Sequence, residues 1–233
     1  MAGLVESARA ILGSSERVLE TVSNNVSNVS TPGFKRQTSF SDVVSQADSL
    51  VEDMRVKSDL RQGALSATSN PLDLAISGDG FFRLRSETEI FYSRQGHFRL
   101  SPEGLLVSPQ GFVLQGSDGG DLVVESAEVE IAGDGTVIDG GRPVGRIGVF
   151  APVSGAALHP VAGSLFRADA GDMEESRSAR IRQAMVEGSN VTLGEEMVTM
   201  MTAVRQAESG ARIVQVYDDL IGRAITAFGQ GGR

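Results

Sequence analysis

The spacing of apolar and polar positions changes period twice along the chain. Val5, Ala8, Leu12, Ser15, Leu19, Val22, Val26 and Val29 recur at alternating steps of three and four residues. That spacing predicts a helix over 4–29, about 39 Å long, whose seam packs against other helices. Gly13 weakens it by about 1 kcal/mol. Its end is written in Asn24-Asn25-Val26-Ser27-Asn28-Val29-Ser30-Thr31-Pro32-Gly33-Phe34-Lys35. Pro32 disfavours helical geometry at Thr31, and Gly33 accepts the positive φ of a type II turn. The side-chain amides of Asn24, Asn25 and Asn28 suit the backbone groups that an ending helix leaves open.

Residues 36–68 are polar and irregular and read as an extended connector with a short strand or hairpin. From Ser69 the period becomes two, with Leu72, Leu74 and Ile76 alternating with polar or small residues in a half-buried strand. Gly78-Asp79-Gly80 reads as a hairpin turn returning through Phe81-Phe82-Arg83-Leu84. Phe91–Leu100, Leu105–Val107, Phe112–Leu114, Asp121–Glu130, Gly135–Ile138, Val144–Phe150 and Leu165-Phe166 continue the pattern between Pro/Gly turns. Short strands at such spacing indicate an antiparallel β-domain.

Helical spacing then returns. Leu193, Met197, Met200, Val204, Ala207, Ala211, Val214, Asp218, Ile221, Ile225 and Phe228 step by four and three, a seam on the order of 50–60 Å long. The fold class is therefore α+β. Residues 1–35 and 181–233 form a discontinuous, coiled-coil-like helical domain, 36–68 the connector, and 69–180 an inserted antiparallel β-domain.

Charge follows the same division. The 233-residue chain has a net charge of -9, and segment 36–172 holds 19 acidic against 11 basic residues. An acidic middle suits a solvated surface, and near-neutral ends suit packing. Without a strongly basic stretch, phosphate-backbone binding is disfavoured. The chain has no cysteine, which removes disulfides and thiolate metal sites. No segment has the apolar length of a membrane span, and Glu6 and Arg9 stand where a secretory signal would be apolar.

No constellation of side chains points to catalysis. Gly78-x-Gly80 lacks the third glycine of a nucleotide loop, and a turn explains it better. His97 and His159 lack metalloprotease spacing and have no cysteines to join them. Asp118-Gly119-Gly120-Asp121 and Asp134-Gly135 lack the full calcium loop and read as turns. No catalytic residue, cofactor site or metal site is expected, and the chain does not read as an enzyme.

The Asn-rich helix end followed by Thr31-Pro32-Gly33-Phe34-Lys35 resembles the N-terminal signature of the bacterial flagellar axial proteins, the family of rod, hook and hook-associated subunits. Three further strings are similar to that family: Asn70-Pro71-Leu72-Asp73-Leu74-Ala75-Ile76-Ser77-Gly78-Asp79-Gly80-Phe81-Phe82, Tyr92-Ser93-Arg94-Gln95-Gly96-His97-Phe98 with Gly104-Leu105-Leu106-Val107, and Glu187-Gly188-Ser189-Asn190-Val191 with Glu195-Glu196-Met197-Val198. Together they span the beginning, middle and end of the chain. The single compact β-domain, with Arg142–Phe150 and Gly163–Arg167, resembles the proximal-rod members of the family; a distal-rod or hook-type subunit is the alternative.

The resemblance implies a structural subunit of the periplasm-spanning basal-body rod, with paired terminal helices forming an inner layer around a channel. It implies as partners copies of the same chain, neighbouring rod proteins and the flagellar type III export apparatus, without nucleic acid or membrane insertion. Asn24, Asn25, Asn28, Thr31, Pro32, Gly33 and Phe34 are then the assembly motif. The seams are Val5, Leu12, Leu19 and Val26 on the first helix, and Leu193, Met197, Met200, Val204, Val214, Ile221 and Ile225 on the second. From other classes stand a small β-domain enzyme with helical oligomerisation arms, and a secreted adhesin or tail-fibre subunit.

Overall fold

The computed structural model describes residues 2–46, 49–154 and 156–230. The chain divides into two compact units. The first, a helical unit, takes residues 1–27, 37–57 and 192–233, and the second, a β-unit, takes 28–36 and 58–191. The backbone therefore passes from one unit to the other four times. These limits differ from the segments read from the sequence in three places. Residues 28–36 and 181–191 group with the β-unit, and most of the connector groups with the helices.

In the helical unit, α1 (Ala2–Ser27) packs along α2 (Leu193–Gln230). Ala8, Ser15, Thr21, Val22 and Asn25 are buried on α1, with Leu12, Leu19 and Val26 half-buried beside them. The stretch expected to be an extended connector with a short strand or hairpin forms two ten-residue strands, β1 (Gln37–Gln46) and β2 (Ser49–Ser58), which pair as a sheet.

The β-unit is antiparallel throughout its recorded pairings. Its largest sheet has nine strands centred on Phe81–Arg85, which pairs with Ile90–Ser93, Val113–Leu114 and Val149–Pro152. Leu74–Ser77 pairs with Arg180–Gln183, and Leu65–Ala67 with Met185–Glu187, so the last strands before α2 close onto the first. This corrects the hairpin expected at Gly78-Asp79-Gly80. The two glycines do take positive φ, 103° and 138°, but they carry the chain from one sheet to another. The alternation that marks a strand does not say which strand it pairs with, so the nearest-neighbour choice was wrong here. Phe91–Leu100 is likewise two strands, Ile90–Ser93 and Arg99–Leu100, and of Asp121–Glu130 only Glu130 lies in a strand.

One apolar core fills the β-unit. Leu74, Phe82, Leu84, Leu106, Leu114 and Val137 are fully enclosed, and Phe82 meets Phe98 edge-on with ring centroids 5.5 Å apart. Edge-on geometry sets the positive rim of one ring against the negative face of the other. Phe82→Ala should cost about 3–5 kcal/mol of unfolding free energy in urea titration followed by tyrosine fluorescence. An unchanged midpoint would mean that Phe82 is not at the centre of this core.

Candidate functional site

The Asn–Thr-Pro-Gly-Phe-Lys motif supplies two buried polar centres, one within each unit. In the β-unit, Thr31-Pro32-Gly33-Phe34 is a tight turn closed by the Phe34 amide donating to the Thr31 carbonyl at 3.2 Å. Gly33 has φ 70°, as a type II turn with proline at its second position requires. Space demands glycine independently, because a Cβ there would overlap the backbone of Arg94 and Gln95. The Gly33 amide donates to the Glu187 carbonyl at 2.8 Å, and Phe34 is buried.

The turn delivers Lys35 into the interior. Its ammonium donates to Glu187 Oε1 and to the Arg61 carbonyl, each at 2.6 Å, and both side chains of the pair are fully enclosed. Glu187 Oε1 also accepts the Gly63 amide at 2.9 Å, and Oε2 accepts Arg94 Nη1 at 3.0 Å. Arg94 Nη2 donates to the Gly78 carbonyl at 2.7 Å, and the guanidinium lies 5.3 Å from the Phe81 ring centre. Burial pushes the Lys35 ammonium below the usual lysine range, while the Glu187 carboxylate beside it acts in the opposite direction. Asn190 completes the centre. Its Oδ1 accepts the Arg36 amide at 2.6 Å, and its Nδ2 donates to the carbonyls of Asp59 and Arg61.

In the helical unit, Asn25 does the corresponding work. Its Oδ1 accepts the Gln37 amide and its Nδ2 donates to the Gln37 carbonyl, both at 2.8 Å, so the side chain mimics a strand partner at the start of β1. The same Nδ2 donates to Glu196 Oε2 at 3.0 Å, and both residues are 1% exposed. Asn28 accepts the Thr31 hydroxyl at 3.1 Å, and Asn24 is exposed. The three asparagines therefore have different surroundings, and only Asn25 is buried.

Among the described residues no set of three or more His, Asp or Glu side chains is placed to bind a metal ion, and no helix is long and apolar enough to cross a membrane. A cleft of about 780 Å³ in the β-unit is lined by Leu60, Phe81, Pro152 and charges of both signs, including Asp79, Glu174 and Arg177.

Residues 16–35 match the model described as flagella basal body rod protein, 75–138 the flagellar hook protein FlgE/F/G D1 domain, and 182–227 the flagellar basal body rod FlgEFG protein C-terminal region. Along its length the chain is 30% identical over 227 residues to the flagellar basal-body rod protein FlgF of Caulobacter vibrioides, covering 92% of this chain and 93% of that one. The chain belongs to the flagellar rod and hook protein family. FlgF of Salmonella typhimurium is 32% identical, with 86% and 88% covered, and the basal-body rod protein FlgG of Borreliella burgdorferi is 29% identical, with 88% and 91% covered. The chain is thus a structural subunit of the bacterial flagellum, located in the basal body.

All three matched segments hold partners of the buried centres, with Arg94 in the middle one. Lys35 ends the first, and Glu187, Asn190 and Glu196 lie in the last. Lys35, Arg94, Glu187 and Glu196 were not singled out in the sequence as a site. Each sits in a string that marks the rod and hook family, yet no spacing rule links positions 35, 94 and 187. A buried charge looks like a surface charge until the fold pairs it.

The seam residues are placed unevenly. Leu12, Leu19, Val26, Met200, Val214 and Ile221 are half-buried. Val5, Leu193, Met197 and Val204 are exposed, at 38%, 44%, 51% and 41%. The Ile225 side chain lies outside the described residues.

Glu187→Ala would leave Lys35 and Arg94 buried without their carboxylate, at a cost of about 3–5 kcal/mol in the β-unit. Gly33→Ala should lose at least about 1–3 kcal/mol from positive φ alone, with the displaced Arg94 backbone adding to it. Urea titration of the full chain measures both. A native midpoint for either variant would remove the corresponding group from the structural centre.

Proposed function

We propose that the chain is a proximal-rod subunit that self-assembles through its terminal helices, its role carried by packing and not by catalysis. The observation that carries this reading is on α2. Leu193, Met197, Met201 and Val204 follow one another at helical spacing and are all exposed, with Val198 beside them. A run of large apolar side chains on one helix face suits contact with another chain, whereas scattered apolar residues need no explanation. Neighbouring copies and other rod proteins are the partners that family membership suggests, and the flagellar type III export apparatus is the route by which such a subunit reaches the rod. FlgF and FlgG relatives match over comparable lengths. The compact β-unit favours the proximal position.

Met197→Asp and Met201→Asp test this surface. Both side chains are more than half exposed, so the monomer's stability should change by no more than about 0.5 kcal/mol. Cells carrying either variant should nevertheless be non-motile and lack complete rods on basal-body isolation. Motile cells with normal basal bodies would rule out this face as an assembly surface. Labelling the native chain in isolated basal bodies tests the proximal position separately.

A further inference from the structure

The sequence offers α2 a more apolar seam than the one it buries. The apolar series runs through Met197, Met200, Val204, Ala207, Ala211 and Val214. The buried positions facing α1 are Glu196, Ala203 and Gly210, with Met200 and Ala207 half-buried between them and Val214 half-buried beyond. Alternate positions are thus displaced by one residue, and Glu196 and Ala203 are inside where Met197 and Val204 would bury more apolar surface. The hydrophobic effect alone does not select this setting.

Two features hold it. Gly210 permits close approach, since a Cβ there would lie 3.2 Å from Ile11 Cγ2 and from Leu12 Cγ. The second is the Asn25–Glu196 hydrogen bond, whose Asn25 end is itself fixed by two bonds to the Gln37 backbone. A polar pair buried in a helix contact is satisfied in one rotational setting and left unpaired in others, a recognised means of fixing register. We propose that Asn25 and Glu196 are a positioning pair that fixes the rotation of α2 on α1. They thereby hold Leu193, Met197 and Val204 outward. Only the use of that outward face rests on the assembly role; the rotational setting belongs to the single chain.

The absence of native cysteine allows a direct test in the full-length chain, at dilutions where it is monomeric. Leu12→Cys is combined either with Gly210→Cys, on the buried line, or with Ala211→Cys, on the apolar series. With Asn25 and Glu196 intact, the first pair should oxidise at least about tenfold faster than the second, because disulfide formation requires close, aligned Cβ atoms. In the Asn25→Leu/Glu196→Leu background helicity should persist and the preference should fall toward unity. Asn25→Asp, which sets a carboxylate against Glu196, should also erase the preference, and adding Glu196→Gln should restore it. If the double leucine variant loses its helicity, the Asp and Gln arm decides. An undiminished preference in Asn25→Asp, or no recovery on adding Glu196→Gln, would overturn the proposal. Because the readout is cross-linking in the monomer, it is distinguishable from a failure of rod assembly.

Discussion

The β-unit depends on a single carboxylate that joins parts of the chain far apart in sequence. Glu187 accepts from Lys35, Arg94 and the Gly63 amide, and its own backbone carbonyl receives the Gly33 amide. One residue thereby ties the segment after α1, the approach to the first short strand, the end of the Ile90–Ser93 strand and the final strand before α2. A buried ion pair is a weak source of net stability, because desolvation offsets most of the attraction. Its value here is specificity. Any arrangement that withdraws one of these segments leaves the fully enclosed Glu187 short of a hydrogen-bond partner.

Much of the architecture is legible in the sequence, and the part that is not has a common physical cause. The alternating steps of three and four gave both helices, and Pro32-Gly33 gave the turn with its positive φ. These are local properties, set by a residue and its neighbours. The pairing of Leu74–Ser77 with Arg180–Gln183, in place of the adjacent Phe81–Arg85, depends on contacts over a hundred residues away. Two consecutive strands joined by a glycine turn look alike whether they form a hairpin or part company. Within 37–58 a short strand or hairpin was expected, and the full ten-residue length of the two strands was not legible because a polar stretch carries little period-two signal.

The motif was legible as a motif and not as a mechanism. Its asparagines read as a helix end in need of partners, and the structure distributes them: Asn25 buried between β1 and α2, Asn28 holding the Thr31 hydroxyl, Asn24 outside. Met197 and Val204 show the limit of reading burial from hydrophobicity. Their period is right for a seam, yet α2 turns them outward and buries Glu196 and Ala203. Sequence periodicity identifies an apolar face without saying whether its partner lies in the same chain.

The four backbone passages between the units have a mechanical meaning. Domains joined by one linker transmit force through one covalent thread, and a single cut or a single soft joint releases them. Here residues 27–28, 36–37, 57–58 and 191–192 are separate junctions. Tension applied to the helical unit is shared among four lengths of polypeptide. One proteolytic nick within residues 37–57 would leave the pieces on either side still covalently continuous through both units. In a structural subunit of the basal-body rod, that redundancy means that no single loop is the sole covalent link between the two units.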